Sequence, residues 1–220
     1  MNPAKRREIF ERLRAANPHP AGELAWSTPY QLLVAVVLSA QATDKSVNAA
    51  SAKLFPAAGT PREMLALGVA GLQERIRSIG LYSTKARNVI ELSRLLIERH
   101  GGEVPAAREA LESLPGVGRK TASVVLNIAF GQPTVAVDTH IFRVANRTGL
   151  APGKDPLAVE EKLVKLVPAE FLKEAHHWLI LHGRYVYVVR KPKCHLFLLR
   201  DLCAFRGKSK QPQINADERR

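Results

Sequence analysis

Seven consecutive aliphatic residues, Leu32 to Leu38, follow Thr28-Pro29, and this run does most to limit what the chain can become. Thr then Pro reads as a helix N-cap and first helical position, so the run belongs to a helix that is apolar on every side. Such a helix must be surrounded. It is also far short of the roughly 18 to 20 apolar residues that cross a bilayer, so the centre of a helical bundle is expected and a membrane span is not. The remaining sequence supplies helices to surround it. Residues 4–16 place Ile9, Phe10 and Leu13 on one face, and Asp44 and Thr60-Pro61 open further helices. Ser83 is expected to cap a long helix whose Val89, Ile90, Leu92, Leu95 and Leu96 form a wide stripe, stopped by Gly101-Gly102. Later helices are expected over Arg119 to Phe130, Thr139 to Arg147, Pro156 to Leu166 and Glu170 to Arg184. No alternating strand pairs and no repeat of fixed period are evident. The fold class expected is therefore all-α, with a disordered tail from Gly207 and over 212–220 in particular.

Two cysteines in 220 residues cannot build a disulfide framework, and a chain this long does not need one. The charged amphipathic pattern after Lys5, Arg6 and Arg7 is unlike the apolar core of a signal peptide, so a cytoplasmic protein in a reducing compartment is expected. Its formal charge is +13. Residues 1–14 carry five basic and two acidic side chains, and residues 184–220 carry ten and three, so the two ends supply ten of the thirteen net charges. That concentration suits a polyanion partner, because cations facing phosphates release counterions and attract the ligand from a distance. A solubilising basic tail is the plainer alternative, and composition does not separate the two.

The segment with the clearest chemistry runs Leu114-Pro115-Gly116-Val117-Gly118-Arg119-Lys120-Thr121-Ala122. A helix is expected to end near Leu114 and another to begin near Gly118. Glycines let backbone amides approach a ligand, and the first N–H groups of a helix have no internal acceptors, so such a turn can hold an anion without reading its identity. A helical hairpin that merely packs has the same pattern. Lys120 is less easily explained as packing, since a cation in the first turn faces the positive end of the helix dipole beside a second cation, Arg119. A neutral amine is what nucleophilic attack requires. The alternative is that Lys120 solvates its charge or touches a phosphate. Eighteen residues on, Val137-Asp138-Thr139-His140 brings a carboxylate to the start of another helix. Asp138 alone reads as an N-cap. Paired with an amine nucleophile, it could also carry away a proton and steady developing positive charge.

Taken together, Leu114 to Gly131, Val137 to His140, Leu38-Ser39-Ala40-Gln41-Ala42-Thr43-Asp44, and His176-His177-Trp178 through Arg184-Tyr185 resemble the bacterial endonuclease III family over about residues 1 to 206. The resemblance implies a two-lobed helix-hairpin-helix DNA glycosylase with its active site in the cleft between lobes. One lobe would span 22–132; the other would pair 1–21 with 133–211. It further implies base excision repair: removal of oxidised pyrimidines from damaged double-stranded DNA, with AP lyase cleavage by β-elimination through a lysine Schiff base. Lys120 falls on the family's catalytic lysine and Asp138 on its catalytic aspartate. Gln41 matches the residue that enters the gap left by a flipped nucleotide, and Leu81 matches a wedge residue opposite. Without the resemblance, these two read as a polar loop residue and a core leucine. Gly116, Val117, Gly118, Arg119 and Thr121 would grip the DNA backbone, and His140 would touch backbone or DNA near Asp138. Glu112, just before the hairpin, either tunes the lysine or decorates its helix. His176 and His177 are expected to be structural. A monomer acting at the nucleoid is expected.

The sequence departs from the family at its cysteines. Members of the family usually end with four cysteines, separated by six, two and five residues, that hold an iron–sulfur cluster; here those positions read Tyr187, Cys194, Phe197 and Cys203. Tyr and Phe do not ordinarily hold such a cluster, so no cofactor and no metal are expected, with aromatic bulk filling the space. Zinc held by Cys194, Cys203 and a histidine is an alternative without a regular ligand pattern, and buried thiols are the simpler reading. Two other functions share parts of the pattern. A monofunctional glycosylase would use activated water, against which Lys120 speaks, and a non-catalytic helix-hairpin-helix module would bind DNA without cleaving it.

Overall fold

In the computed structural model, the described residues are 1–190, 192–193 and 198–205. Among them the regular structure is helical, with no strand: α1 Pro3–Ala16, α2 Pro29–Ser39, α3 Asp44–Leu54, α4 Pro61–Ile76, α5 Tyr82–His100, α6 Arg108–Glu112, α7 Arg119–Phe130, α8 Thr139–Thr148, α9 Pro156–Leu166 and α10 Ala169–Tyr185. Cys194, Phe197 and the tail over 212–220 lie outside the described residues. The chain divides into two compact units: residues 21–136, and residues 1–20 together with the chain from 137 onward.

The 21–136 unit is organised around α2. Thr28 caps that helix by accepting the Gln31 N–H, Pro29 occupies the first turn, and Leu32 to Leu38 are all buried. Helices α3, α4, α5 and α7 supply the surrounding apolar faces through Val47, Leu54, Met64, Leu72, Ile76, Val89, Leu92, Leu96, Ala122 and Val125. Tyr30 brings a hydroxyl into this core, where it lies 2.6 Å from Ser93 Oγ, which in turn donates to the Val89 carbonyl. Burial holds that phenol protonated well above its ordinary range. Thr60 and Glu63 form a reciprocal capping box at the start of α4. One boundary differs from expectation. The residue before α5 is Leu81, in the left-handed conformation with no side-chain cap, and Ser83 lies inside the first turn. The chain also stays with this unit to Ala136 rather than leaving at 132. Asn127 Nδ2 donates to the carbonyls of Gln132 and Thr134, and Thr134 Oγ1 donates to the Ser123 carbonyl, which pins 132–134 along α7.

In the other unit, α1 packs on α10 through Phe10, Phe171 and Trp178, whose ring centroids lie 5.8 to 6.3 Å apart. Trp178 Nε1 donates to the Asn17 carbonyl, so its one polar atom is matched. The basic residues of α1 are partly engaged here. Arg7 pairs with Glu170, and Arg12 pairs with Glu8 and Asp201 and donates to the Leu198 carbonyl. The N-terminal surplus therefore serves in part to tie α1 to α10 and to 198–201, and not solely to face a partner.

Candidate functional site

Between α6 and α7 the chain turns over residues 113–118. Leu114 and Val117 are buried and anchor the turn, with Val117 N donating to Leu114 O and Leu114 N to Leu111 O. Gly116 has φ +79, and a Cβ there would stand 3.0 to 3.1 Å from the Asn88 side chain on α5. Its left-handed conformation favours glycine, and a larger residue would also crowd Asn88. Gly118 takes the N-cap position of α7 in an extended conformation, with no side-chain hydrogen bond closing the helix end. By contrast, Thr28, Thr43, Thr60, Asp138 and Asp155 each cap their helices with a side-chain oxygen. The opening amides of α7 are thus presented past a residue with no side chain, the arrangement that suits an oxygen anion. Gly118, Arg119 and Lys120 are exposed and Thr121 is half-buried. No acidic residue lies in the first turn of α7. Glu112 pairs instead with Arg108 across one turn of α6, at 3.4 Å.

Asp138 is half-buried at the N-cap of α8, where Oδ1 accepts from the amides of His140 at 2.9 Å and Ile141 at 2.8 Å. Both bonds go to one oxygen, leaving Oδ2 outside the cap. His140 packs against α10, since a Cβ on Gly183 would come within 2.9 Å of His140 Cβ and 3.0 Å of its carbonyl. Its Nδ1 lies 3.1 Å from Arg143 Nη2. Arg143 and Arg147 belong to no motif in the sequence, and their i, i+4 spacing after Asp138 is the one signal that sets them on a common face of α8. Arg143 donates to the carbonyls of Gly183 and Tyr187, which makes it a brace between α8, α10 and the chain beyond.

Gln41 and Leu81 lie in neighbouring loops of the 21–136 unit. Among the described residues they alone, apart from glycines, have positive φ, at 53° and 59°. The loops adjoin: a Cβ on Gly80 would stand 3.9 Å from the Gln41 carbonyl oxygen. Gln41 is exposed, and Leu81 is 60% exposed, so Leu81 is no core leucine. A bulky residue held left-handed and left in solvent is strained and unburied at once, a combination found where a side chain serves a ligand rather than the fold.

His176 and His177 are buried on α10 with their rings edge-on at 5.2 Å, and burial pulls the His177 pKa below its ordinary value against an opposing effect of Glu174. Among the described residues, no group of three or more His, Cys, Asp or Glu side chains is placed to hold a metal ion. Nor is any helix among them long and apolar enough to cross a membrane.

Residues 34–169 match the model of the HhH-GPD superfamily of base excision DNA repair proteins. The chain is 62% identical over 208 residues to endonuclease III of Escherichia coli K12, covering 94% of this chain and 99% of that protein. It is 60% identical over 195 residues to endonuclease III of Treponema pallidum, covering 89% and 92%. Among solved structures, a trapped covalent intermediate of endonuclease III with DNA superposes with a TM-score of 0.87 at 42% identity, covering 93% of this chain and 96% of that one. A thermostable thymine-DNA glycosylase superposes at 0.83 with 26% identity, covering 94% and 98%.

Proposed function

The chain belongs to the endonuclease III family of helix-hairpin-helix base excision repair proteins, and we propose from that premise that its chemistry runs through Lys120 and Asp138. It is a DNA glycosylase and AP lyase acting on damaged double-stranded DNA. The observation that carries the residue assignment is the uncapped start of α7, where Lys120 stands exposed in the first turn behind Gly118. Main-chain amides grip the backbone there without reading bases. A stacked base is out of reach of any side chain, so the target nucleotide is extruded from the duplex. Gln41 and Leu81, held outward by their strained backbones, fill and wedge the stack it leaves.

The Lys120 Nζ lone pair attacks the anomeric carbon of the sugar, forming a C–N bond as the glycosidic bond breaks, and the base leaves with the bonding pair and takes a proton from solvent. Asp138 accepts the proton lost by the lysine and balances positive charge on the sugar, using the oxygen that the helix cap leaves over. The sugar ring then opens at the bond between the anomeric carbon and the ring oxygen, which takes up a proton, and the adduct becomes an imine. The imine draws electrons when the adjacent carbon loses a proton, so the 3′ phosphate leaves with the bonding pair. Hydrolysis of the imine then returns Lys120. Oxidised pyrimidines are the substrates this reading assigns, and the nucleoid in the cytoplasm is the place. Borohydride reduction of the imine tests it: wild-type protein is expected to become covalently joined to abasic duplex DNA and Lys120→Gln is not. A normal yield of joined complex in that variant would overturn the assignment, and wild-type binding without strand cleavage would favour a non-catalytic module.

A further inference from the structure

The residues of this chain do not fit the iron–sulfur cluster usual in the family. Such a cluster is held by four thiolates, and the sequence supplies thiols at only two of the aligned positions, Cys194 and Cys203. Of the four positions, Tyr187 and Cys203 fall among the described residues. Tyr187 is completely buried and Cys203 nearly so. The Tyr187 ring meets Phe205 edge-on with centroids 5.7 Å apart, and lies 6.3 Å from the ring of His182. The Arg147 guanidinium, from α8, lies 5.6 Å from the Tyr187 centroid and 5.2 Å from that of Phe205. Its two terminal nitrogens donate to the carbonyls of Val188 and Val189, each at 3.3 Å. Cys203 Sγ is 3.6 Å from the Tyr187 hydroxyl, accepts the Phe205 N–H at 3.4 Å, and donates to the Arg147 carbonyl at 4.0 Å. With the thiol hydrogen directed at that carbonyl, the phenol is left to donate to sulfur. Ala204 N adds a backbone bond to Thr148 O at 3.1 Å.

We propose that Arg147, Tyr187, Cys203 and Phe205 form a protein-only clamp that holds residues 187–189 and 203–205 on α8 where the family uses a metal cluster, so that the chain folds and works without iron. The aromatic rings supply buried contact, the guanidinium bridges both rings and two carbonyls, and the thiol serves as a hydrogen-bonding group rather than a ligand.

The test uses the full chain, produced with ample iron and purified without oxygen. Iron, acid-labile sulfide and visible absorption are measured first, and no stoichiometric iron or sulfide is expected. Melting is measured next. Tyr187→Ala is expected to lower the midpoint by roughly 10 °C, as for loss of a buried aromatic ring from a chain of this size, and Tyr187→Phe by clearly less. Should Tyr187→Ala fail to fold, Arg147→Lys keeps the charge but cannot lie over both rings and reach both carbonyls, and it is expected to speed amide hydrogen exchange at residues 199–205. Stoichiometric iron and sulfide, an unchanged melting point in Tyr187→Ala, or unchanged exchange in Arg147→Lys would each overturn the clamp. None of these readouts involves DNA, so failure of imine trapping would strike the catalytic assignment and leave the clamp standing.

Discussion

Gln41 and Leu81 share a backbone conformation that no other non-glycine residue among the described residues adopts, and they stand in adjoining loops, with Gly80 next to the Gln41 carbonyl. The left-handed region costs an L residue about 1 to 2 kcal/mol. Leu81→Gly should therefore leave the free protein as stable as before, or more stable by up to about 1 kcal/mol, while lowering base excision from duplex DNA. Chemical denaturation and single-turnover excision check the two halves. A core leucine would behave oppositely, losing several kcal/mol on truncation.

Asp138 caps α8 and, in the mechanism proposed above, also takes the lysine's proton, and substitution can separate the two. Asparagine retains the capping oxygen, so Asp138→Asn should keep stability to within about 0.5 kcal/mol, whereas Asp138→Ala should lose about 1 kcal/mol with the cap. Both should cut the rate of strand cleavage, because neither has a carboxylate. Thermal melts alongside cleavage assays would show whether activity follows the charge or the cap; equal activity in Asp138→Asn and wild type would remove the chemical role.

Gly183 is the point where α10 closes on the first turn of α8. A single methyl group there would sit 2.9 to 3.2 Å from the Cβ and backbone carbonyl of His140, and backbone cannot swing aside as a flexible side chain can. Gly183→Ala is expected to cost about 1 to 3 kcal/mol and to depress cleavage by displacing the His140 and Asp138 turn. Denaturant midpoints and cleavage rates measured together would test this. A variant that melts normally and cleaves normally would show that the turn is not set by this contact.

Acid should loosen the same unit. Burial pushes the pKa of His182 down from 6.5 to about 4, so the folded state resists a proton that the unfolded chain accepts. Its contribution is fully present above pH 6.5 and is lost as pH falls toward 4, by about 3 kcal/mol. Denaturation midpoints measured between pH 7 and 4 should show that fall, and His182→Gln should flatten it. Because the His182 ring adjoins Tyr187, the same titration should weaken the clamp on α8.

Much of this molecule follows from local chemistry and is legible without coordinates. The apolar run after Thr28-Pro29 had to be enclosed, and it lies at the centre of its unit. The helix expected over Pro156 to Leu166 has those bounds, and the glycine-led start of α7 is written in Gly116 and Gly118. Local rules fail at the start of α5, where a strained Leu81 stands in place of the expected Ser83 cap. Nothing in a single sequence announces that a leucine will be held left-handed in solvent, because that strain is sustained by neighbouring loops. The same holds for the basic residues. Sequence counts the charges of Arg7, Arg12 and Arg147, but only the packed chain decides that two of them bind carboxylates on distant segments and the third bridges Tyr187 and Phe205. Composition sets which chemistry a chain can do. Contacts between residues far apart in sequence decide which of its charges, thiols and rings serve the fold and which are left for the ligand.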